Sequence, residues 1–238
     1  MENKKSNSYQ NGYNEVFHKG KIGFVNRVIH NQLERLTKGH FPTTLELGSG
    51  PGQHLEHVTH SYEVYIESDI REELLRDPKS VKNNRLKTLR LDAEDLSIFS
   101  DNSVDRIVNY CLLIHLTNPE HALKEWRRVI KKKSSSAPVS QHNNQISFYV
   151  PCEPGLLLRL LRLFTVARKT RKLGYDHYSF HYKEHVSYFT RLNHIIEEVF
   201  VRDRVRKRFW PFLIPSWNLN LGVFYDIQVL GENNLENN

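Results

Sequence analysis

The chain has 238 residues, of which 39% are hydrophobic and 26% are charged, and its formal net charge is +7. This length suits one domain with a buried core, and no apolar stretch reaches the roughly 18 residues that a membrane-spanning helix needs. The positive charge admits a nucleic acid or an anionic membrane as partner, although a solvated basic surface explains it equally well.

The N-terminal segment is polar at first and then periodic. Residues 1–12 predict a disordered tail, and because no apolar run follows their lysines, we expect no signal peptide. Between residues 13 and 38 apolar side chains recur at helical spacing, which predicts one or two helices broken near Gly20 and Gly23. Cys111 and Cys152 lie in apolar contexts, which predicts reduced thiols in a cytoplasmic protein. A cytoplasmic position peripheral to the membrane is the alternative localisation.

Between residues 41 and 153, short buried strands alternate with helices. This alternation is typical of a parallel sheet covered on both faces, so we predict a doubly wound, Rossmann-like α/β fold. The predicted strands are 43–47, 63–66, 85–91, 105–109 and 146–150. The predicted helices are 54–60, 72–76 and 119–130, the last with Asn118 as its N-cap, and a polar loop follows at 134–144.

The alternation stops after residue 153. Residues 154–200 predict a helical cap insertion, with helices at 156–172 and 192–200 around a segment, 175–188, that is dense in aromatic residues and histidines. Two final strands at 205–212 and 219–229 are predicted to join around Pro215. Residues 13–238 are therefore expected to form one domain, with N-terminal helices at 13–40, a core at 41–153, the cap at 154–200 and C-terminal strands at 201–230.

Three alternating glycines, Gly48, Gly50 and Gly52, follow the first predicted strand. Glycine is needed where the backbone turns sharply or a ligand approaches the main chain, and open α/β sheets bind ligands at the carboxyl ends of their strands. A phosphate-binding P-loop is excluded because Gln53 and His54 stand where Lys and Ser or Thr are required, and Gln53 also breaks the dinucleotide fingerprint. The remaining interpretation is an adenosine ligand without a pyrophosphate, with a turn that binds no ligand as the alternative.

Acidic residues follow the next two predicted strands. Asp69 comes 21 residues after Gly48, where a carboxylate can accept hydrogen bonds from both hydroxyls of a ribose, and Glu67 is the alternative acceptor. Asp92 and Ala93 end the third strand, where a side-chain acceptor beside backbone groups suits the amino edge of adenine. Glycines and acids in this order at three successive strand ends favour a single adenosyl site.

These segments resemble the class I S-adenosylmethionine-dependent methyltransferases over residues 45 to about 154, roughly half of the chain. Residues 45–52 resemble the first motif of that family, with Glu46 in its acidic position. The ribose, adenine and fourth-strand motifs of the family are similar to residues 68–70, 91–96 and 102–109, respectively. The resemblance ends where a long polar loop, residues 131–144, replaces the Pro-Gly-Gly turn of the family, and no general motif matches after residue 153.

The resemblance implies a seven-stranded sheet with an antiparallel C-terminal hairpin, and S-adenosyl-L-methionine as cofactor. Gly48 and Gly50 would border the methionine part of the cofactor, and residues 109–111 would form the wall beside the transferable methyl. The full set of implied cofactor residues is Glu46, Gly48, Ser49, Gly50, Gly52, Asp69, Ile70, Asp92, Ala93, Asn109, Tyr110 and Cys111.

Histidines are the natural candidates for a general base at neutral pH. His177, His181 and His185 recur at steps of four, which would place them on one face of a helix. Our first candidate is His185, followed by His181, with His115 as a further candidate. The spacing lacks a metal signature that includes a carboxylate, so no metal site is predicted.

The function predicted from these residues is methyl transfer to a hydroxyl or amine of a small molecule, such as a sugar, a glycan or a lipid-linked precursor. One alternative is an RNA methyltransferase, which the positive charge favours, although residues 109–112 lack the Asp/Asn-Pro-Pro-Tyr/Phe tetrapeptide of many base-methylating enzymes. The other alternative is a non-catalytic protein that binds S-adenosylmethionine. The predicted helix 156–172 is apolar and then basic, which favours a cap packed on the core, with an interfacial helix on anionic lipid as the alternative.

Overall fold

A computed structural model describes residues 20–35, 37–80, 82–132, 144–172 and 184–231. The predicted N-terminal tail, most of the predicted polar loop, and His177 and His181 lie outside these residues. Within them, seven strands form one sheet in the order β3-β2-β1-β4-β5-β7-β6. The strands are β1 Thr43–Leu47, β2 Val64–Asp69, β3 Leu86–Arg90, β4 Arg106–Tyr110, β5 Gln145–Pro151, β6 Arg204–Trp210 and β7 Gly222–Gln228.

The sheet is parallel except for one strand. Strands β1 to β5 pair in parallel, and β7 pairs antiparallel with both β5 and β6. Strand β6 therefore runs in the same direction as β1 to β5, and the carboxyl ends of these six strands lie along one edge, called here the carboxyl edge. The doubly wound fold and the antiparallel C-terminal hairpin predicted from the sequence are both confirmed.

Helices cover both faces of the sheet, and the central parallel strands are therefore buried on both sides. The helices are α1 Gly20–Glu34, α2 Pro119–Val129, α3 Leu156–Phe164, α4 Val166–Lys172 and α5 Phe189–Val199. On one face, Trp126 of α2 and Leu192 of α5 pack with Leu45 in the main core. On the other face, Ile29 and Leu33 of α1 belong to a smaller cluster. No helix in the described ranges is long and apolar enough to cross a bilayer.

Helix α1 differs from its prediction, because it continues through Gly23 without a break. Gly23 is buried within α1. The absence of a side chain therefore allows close packing of this helix and does not mark a helix end. The last turn of α1 carries Glu34, which is 2% exposed. This carboxylate faces Arg106 of β4, whose Nη2 atom lies 2.5 Å from Oε1. A buried ion pair thus joins α1 to the centre of the sheet.

The helix predicted at 54–60 is reduced to one 3-10 turn, His54–His57. His54 Nε2 lies 3.1 Å from Glu34 Oε1, and His60 Nδ1 lies 2.9 Å from Glu34 Oε2. Residues six apart on an α-helix point about 120° apart at roughly 100° per residue, so an α-helix could not direct both rings at one carboxylate. Contact with α1 therefore overrides the helical pattern of this segment.

Two further predictions on helices are corrected. The single helix predicted at 156–172 is interrupted at Thr165, where α3 ends and α4 begins one residue later. The Thr165 hydroxyl donates to the Leu161 carbonyl at 2.7 Å, a bond that competes with the regular pattern of the helix. The helix predicted at 72–76 is a 3-10 turn, Glu72–Leu74. The predicted N-cap of α2 is confirmed, since Asn118 Oδ1 accepts from His121 N at 3.2 Å.

Candidate active site

The glycine loop, residues 48–52, leaves the end of β1 at the middle of the carboxyl edge. Gly48 and Gly50 have φ angles of 65° and 52°, which residues with a side chain rarely adopt. A Cβ at Gly48 would stand 2.8 Å from Leu112 Cδ1, whereas a Cβ at Gly50 would meet no atom within 4 Å. The loop is therefore closed by protein at Gly48 and open to a ligand at Gly50.

Asp69 ends β2 beside this loop and is 7% exposed. Its Oδ2 accepts from Gly50 N at 3.1 Å and its Oδ1 accepts from Arg71 N at 2.9 Å. These two bonds fix the carboxylate, and each oxygen retains acceptor capacity for a further donor. The Asp69 carbonyl also accepts from Leu91 N at 3.1 Å, which ties the end of β2 to the segment that leads into Asp92. Gly50, Asp69 and Asp92 consequently lie side by side along the carboxyl edge, where open α/β sheets form the crevice that binds their ligands.

The segment after β3 forms the far end of this crevice. Asp92 is exposed, and its Oδ1 accepts from Glu94 N at 2.9 Å. The Ala93 carbonyl accepts from Trp126 Nε1 at 2.9 Å, which anchors the turn to α2. Ile70, directly after Asp69, is 55% exposed and offers an apolar surface at the same edge. A carboxylate beside an exposed aliphatic side chain can bind the polar edge and the face of a planar ring.

Two of the predicted histidines meet at the ends of β4 and β5. The His115 and His185 rings are perpendicular, with centroids 4.8 Å apart. His185 Nδ1 lies 2.7 Å from Oε2 of the buried Glu153, which also forms an ion pair with Arg162. His115 Nδ1 donates to the Glu184 carbonyl at 2.8 Å. The structure thus brings His115 and His185 together, while His181 lies outside the described residues.

The pKa of the imidazole of His115 is lowered, chiefly because the surrounding protein displaces water that would solvate its charged form, even though part of the side chain stays exposed. The hydrogen bond to the Glu184 carbonyl opposes this effect. A neutral His115 ring is therefore favoured beside His185.

Residues 45–136 match a family model described as a methyltransferase domain. The chain carries a class I, S-adenosylmethionine-dependent methyltransferase domain. The cofactor of this methyltransferase is accordingly S-adenosylmethionine.

Several solved structures share the fold of the methyltransferase. A putative methyltransferase solved in complex with the Trm112 methyltransferase activator of Haloferax volcanii is 14% identical with a TM-score of 0.60, over 88% of this chain and 93% of that one. A putative S-adenosylmethionine-dependent methyltransferase from Methanococcus maripaludis is 15% identical with a TM-score of 0.59, over 96% and 94%. A Thermotoga maritima protein described as a possible histamine N-methyltransferase is 14% identical with a TM-score of 0.56, over 94% and 95%.

At these identities the solved structures show a common fold, and they leave the acceptor unassigned. No curated protein sequence matches the chain significantly. The acceptor has to be inferred from the residues of the site.

Asn109 provides one test of whether the residues at the carboxyl edge of the methyltransferase suit a polar cofactor. It is the penultimate residue of β4 and is 1% exposed. Neither Oδ1 nor Nδ2 of Asn109 has a hydrogen-bond partner among the described residues. A buried amide left without partners costs about 1–3 kcal/mol, so pairing with a ligand would recover this energy. Together with the open position at Gly50, this amide is the feature that fits S-adenosylmethionine.

Two of the predicted cofactor residues are engaged by protein groups. Glu46 is 3% exposed, and its Oε2 accepts from Tyr65 Oη at 2.8 Å. Burial raises the pKa of Glu46 to about 8, which favours the neutral acid at pH 7. The Tyr110 hydroxyl donates to Asn26 Oδ1 of α1 at 2.9 Å. Contacts of these side chains with the cofactor stay predictions.

The other predicted cofactor residues lie in the loops around the crevice. Ser49 is 8% exposed, and its backbone N–H donates to the Ser68 carbonyl at 2.8 Å. Cys111 follows β4 with a φ of 55°, and burial raises the pKa of its thiol to about 12. The raised pKa favours the neutral thiol at physiological pH, which is a weaker nucleophile than the thiolate.

Glu153 is the residue of this site that the sequence analysis missed. It lies two residues after the end of β5, in the segment Cys-Glu-Pro. Like Asp69 and Asp92, Glu153 is an acid at the carboxyl end of a predicted strand, and this signal could have identified it. Within the described part of the chain, no cluster of three or more histidine, cysteine or acidic side chains could hold a metal ion.

Proposed function

We propose that the methyltransferase transfers a methyl group from S-adenosylmethionine to a hydroxyl group of a sugar-containing or lipid-linked acceptor, with His185 as the general base. The observation that carries this proposal is the 2.7 Å contact between His185 Nδ1 and Glu153 Oε2. A hydroxyl acceptor gains more from a base than an amine does, because it must lose its proton as the new bond forms.

The Glu153 carboxylate sets the tautomer of His185. An ionised carboxylate only accepts hydrogen bonds, so the proton of the neutral imidazole is assigned to Nδ1 and the basic lone pair to Nε2. Arg162 pairs with the other carboxylate oxygen, which favours the ionised form of Glu153. The arrangement resembles the oriented histidine of many acid–base sites, where a carboxylate holds the ring and stabilises its protonated state.

A short stretch of backbone supports the placement of His185 beside the cofactor crevice. Leu112 packs against Gly48 of the glycine loop. Two residues later, the Ile114 carbonyl accepts from Val186 N at 2.9 Å. His185, next to Val186, therefore lies at the end of the crevice that we assign to the methionine part of the cofactor.

The remaining residues bind and orient the reactants. We assign Asp69 to the ribose hydroxyls, Asp92 to adenine and Asn109 to a polar group of the cofactor. Bound S-adenosylmethionine supplies an electrophilic methyl group on a sulfonium. Holding the acceptor oxygen in line with that methyl can contribute about 7–11 kcal/mol in favourable cases, which is more than the base provides.

The test combines a substrate screen with variants. Methyl transfer is measured with labelled cofactor on nucleotide sugars, glycolipids and RNA. On the acceptor found, His185→Ala should lower kcat about 10²–10⁴-fold, with cofactor affinity in calorimetry unchanged. Glu153→Gln should also lower kcat and shift the acidic limb of the pH–rate profile. His194→Ala, which replaces a histidine that is 71% exposed at its side chain, is the matched control and should leave kcat unchanged.

Each result separates the proposal from the alternatives. Full activity of His185→Ala would contradict its role as the base. Transfer to RNA alone would favour the RNA methyltransferase, and cofactor binding without transfer to any acceptor would favour a non-catalytic binding protein. Asp69→Asn should weaken cofactor affinity without unfolding the chain, and an unchanged affinity would remove the ribose assignment.

A further inference from the structure

Two segments distant in sequence expose large apolar side chains beside each other. We call them the apolar rim, which consists of Leu156, Leu160 and Phe164 of α3 and Phe212, Leu213 and Ile214 of the β6–β7 loop. Their exposed fractions run from 43% for Leu160 to 84% for Leu213. Contiguous apolar surface of this kind on a folded protein marks a contact with another molecule.

Backbone contacts hold the two parts of the apolar rim together. Leu157 N donates to the Asn218 carbonyl at 2.9 Å, and Leu156 N donates to Asn218 Oδ1 at 3.3 Å. The start of α3 is therefore tied to the β6–β7 loop, which also carries Phe212, Leu213 and Ile214, so the two groups of exposed apolar side chains lie on elements that are joined directly.

The exposed and the buried apolar residues of α3 lie on different sides of the helix. Leu156, Leu160 and Phe164 are spaced by four residues and share one stripe of α3, while the buried Leu158 packs inward from another side. Helix α3 thus has an apolar face toward the core and a second apolar face toward solvent.

The apolar rim lies at the carboxyl edge, where the crevice is. Strand β6 runs parallel to β1–β5, so the loop that follows Trp210 emerges at the same edge as Gly48 and Asp69. Helix α3 begins three residues after Glu153, on the acceptor side of the crevice. Whatever covers the rim is consequently brought next to His185.

The charge around the rim indicates the chemistry of its occupant. Residues 154–172 contain no acidic residue and the six basic residues Arg159, Arg162, Arg168, Lys169, Arg171 and Lys172. Residues 209–221, which lead from the end of β6 through the β6–β7 loop, contain no acidic residue either. Apolar side chains with basic residues and without acidic ones match a bilayer that contains anionic lipid.

We propose that the apolar rim docks the methyltransferase on the surface of a bilayer that contains anionic lipid, with Phe212, Leu213 and Ile214 inserted among the acyl chains. The delivery of a lipid-borne acceptor to His185 rests on the proposed function, whereas the docking itself does not.

The experiment measures binding of the full chain to vesicles without cofactor or acceptor. Flotation is compared between phosphatidylcholine vesicles and vesicles of phosphatidylcholine mixed with phosphatidylglycerol. The wild-type chain should bind the mixed vesicles and bind phosphatidylcholine alone at least about tenfold more weakly, since each basic residue near the surface adds about a fivefold preference.

Two variants separate the apolar and the charged contributions. Phe212→Ser with Leu213→Ser should weaken partitioning to mixed vesicles about tenfold or more, because two large apolar side chains lose their insertion. Arg159→Gln with Arg171→Gln should weaken binding to the mixed vesicles and leave the weak binding to phosphatidylcholine unchanged. Val201→Ser is the matched control, because Val201 is 75% exposed but precedes β6 at the opposite end of that strand.

Several results would overturn the inference. These are a wild-type chain that stays with neither kind of vesicle, equal binding to both kinds, or unchanged binding of the Phe212 and Leu213 variant. A wild-type dimer in light scattering that dissociates in this variant would assign the rim to a second copy of the chain instead. A thermal shift with S-adenosylmethionine in the absence of vesicles tests the proposed function separately, so the two failures are distinguishable.

Discussion

Replacing Gly50 with alanine tests whether a ligand approaches the glycine loop, because the structure separates the effect on stability from the effect on binding. The φ of Gly50 is 52°, and a left-handed conformation costs a residue with a side chain roughly 1–2 kcal/mol. The added Cβ meets no atom within 4 Å, so no clash adds to this cost. For a domain of this size each kcal/mol lowers Tm by about 2–4 °C, which predicts a decrease of about 2–8 °C.

The same Cβ would project into the crevice. We expect Gly50→Ala to weaken binding of S-adenosylmethionine about tenfold or more in calorimetry, which corresponds to about 1.4 kcal/mol. Gly39→Ala is the matched control, since Gly39 has a φ of 108° but precedes β1 at the opposite edge of the sheet. That variant should lose stability and keep its cofactor affinity.

Gly48→Ala completes the comparison. Its Cβ would lie 2.8 Å from Leu112 Cδ1, so this variant should lose more stability than Gly50→Ala, and Leu112→Ala in the same chain should recover part of the difference. The reasoning would be refuted if Gly50→Ala had the lowered Tm but bound the cofactor with the affinity of the wild-type chain. In that case no ligand approaches the loop at this residue.

Three further predictions concern buried polar groups. Asn109→Val removes two buried atoms that lack partners, so urea unfolding should show a gain of about 1 kcal/mol while calorimetry shows weaker cofactor binding; a loss of stability would contradict this. Glu34→Gln leaves Arg106 buried without its counter-charge and should lower the free energy of unfolding by about 3–5 kcal/mol, part of which Arg106→Met should restore; a loss below about 1 kcal/mol would argue against the ion pair. Burial lowers the pKa values of His54 and His60 from 6.5, so at these two residues the folded state binds fewer protons than the unfolded state below that pH; the stability that they contribute should fall as pH decreases below about 6.5, and the Tm difference between the wild-type chain and a His54→Gln, His60→Gln variant should change with pH in thermal melts, whereas a constant difference would contradict this.

The strands of this fold could be predicted closely because each is a short apolar run that turn residues bound. The prediction for β1 matches the strand residue for residue, and the predictions for β4 and β5 differ by one residue at their ends. The segment after the glycine loop could not be predicted in the same way. Its conformation depends on Glu34, which lies 20 residues before His54, and a local pattern does not contain that contact.

The candidate site could likewise be predicted from the sequence only in part. Gly50, Asp69 and Asp92 each lie at or just after the end of a strand, so the rule that strand ends meet at one edge predicts their proximity. The pair of Glu153 and His185 spans 32 residues, part of which lies outside the described chain, and no periodicity connects the two. Only the folded arrangement of β5 with the segment before α5 brings these side chains together.

The stretch from Leu112 to Ile114 has a consequence for how variants of this enzyme can be interpreted. One of its ends packs on Gly48 and the other holds Val186, so the proposed cofactor half and the proposed acceptor half would share three consecutive residues as a common wall. A substitution that moves this wall displaces both halves at once. Kinetic constants for the two reactants should therefore change together in such variants, whereas changes at Asp69 or at Glu153 should affect one reactant at a time.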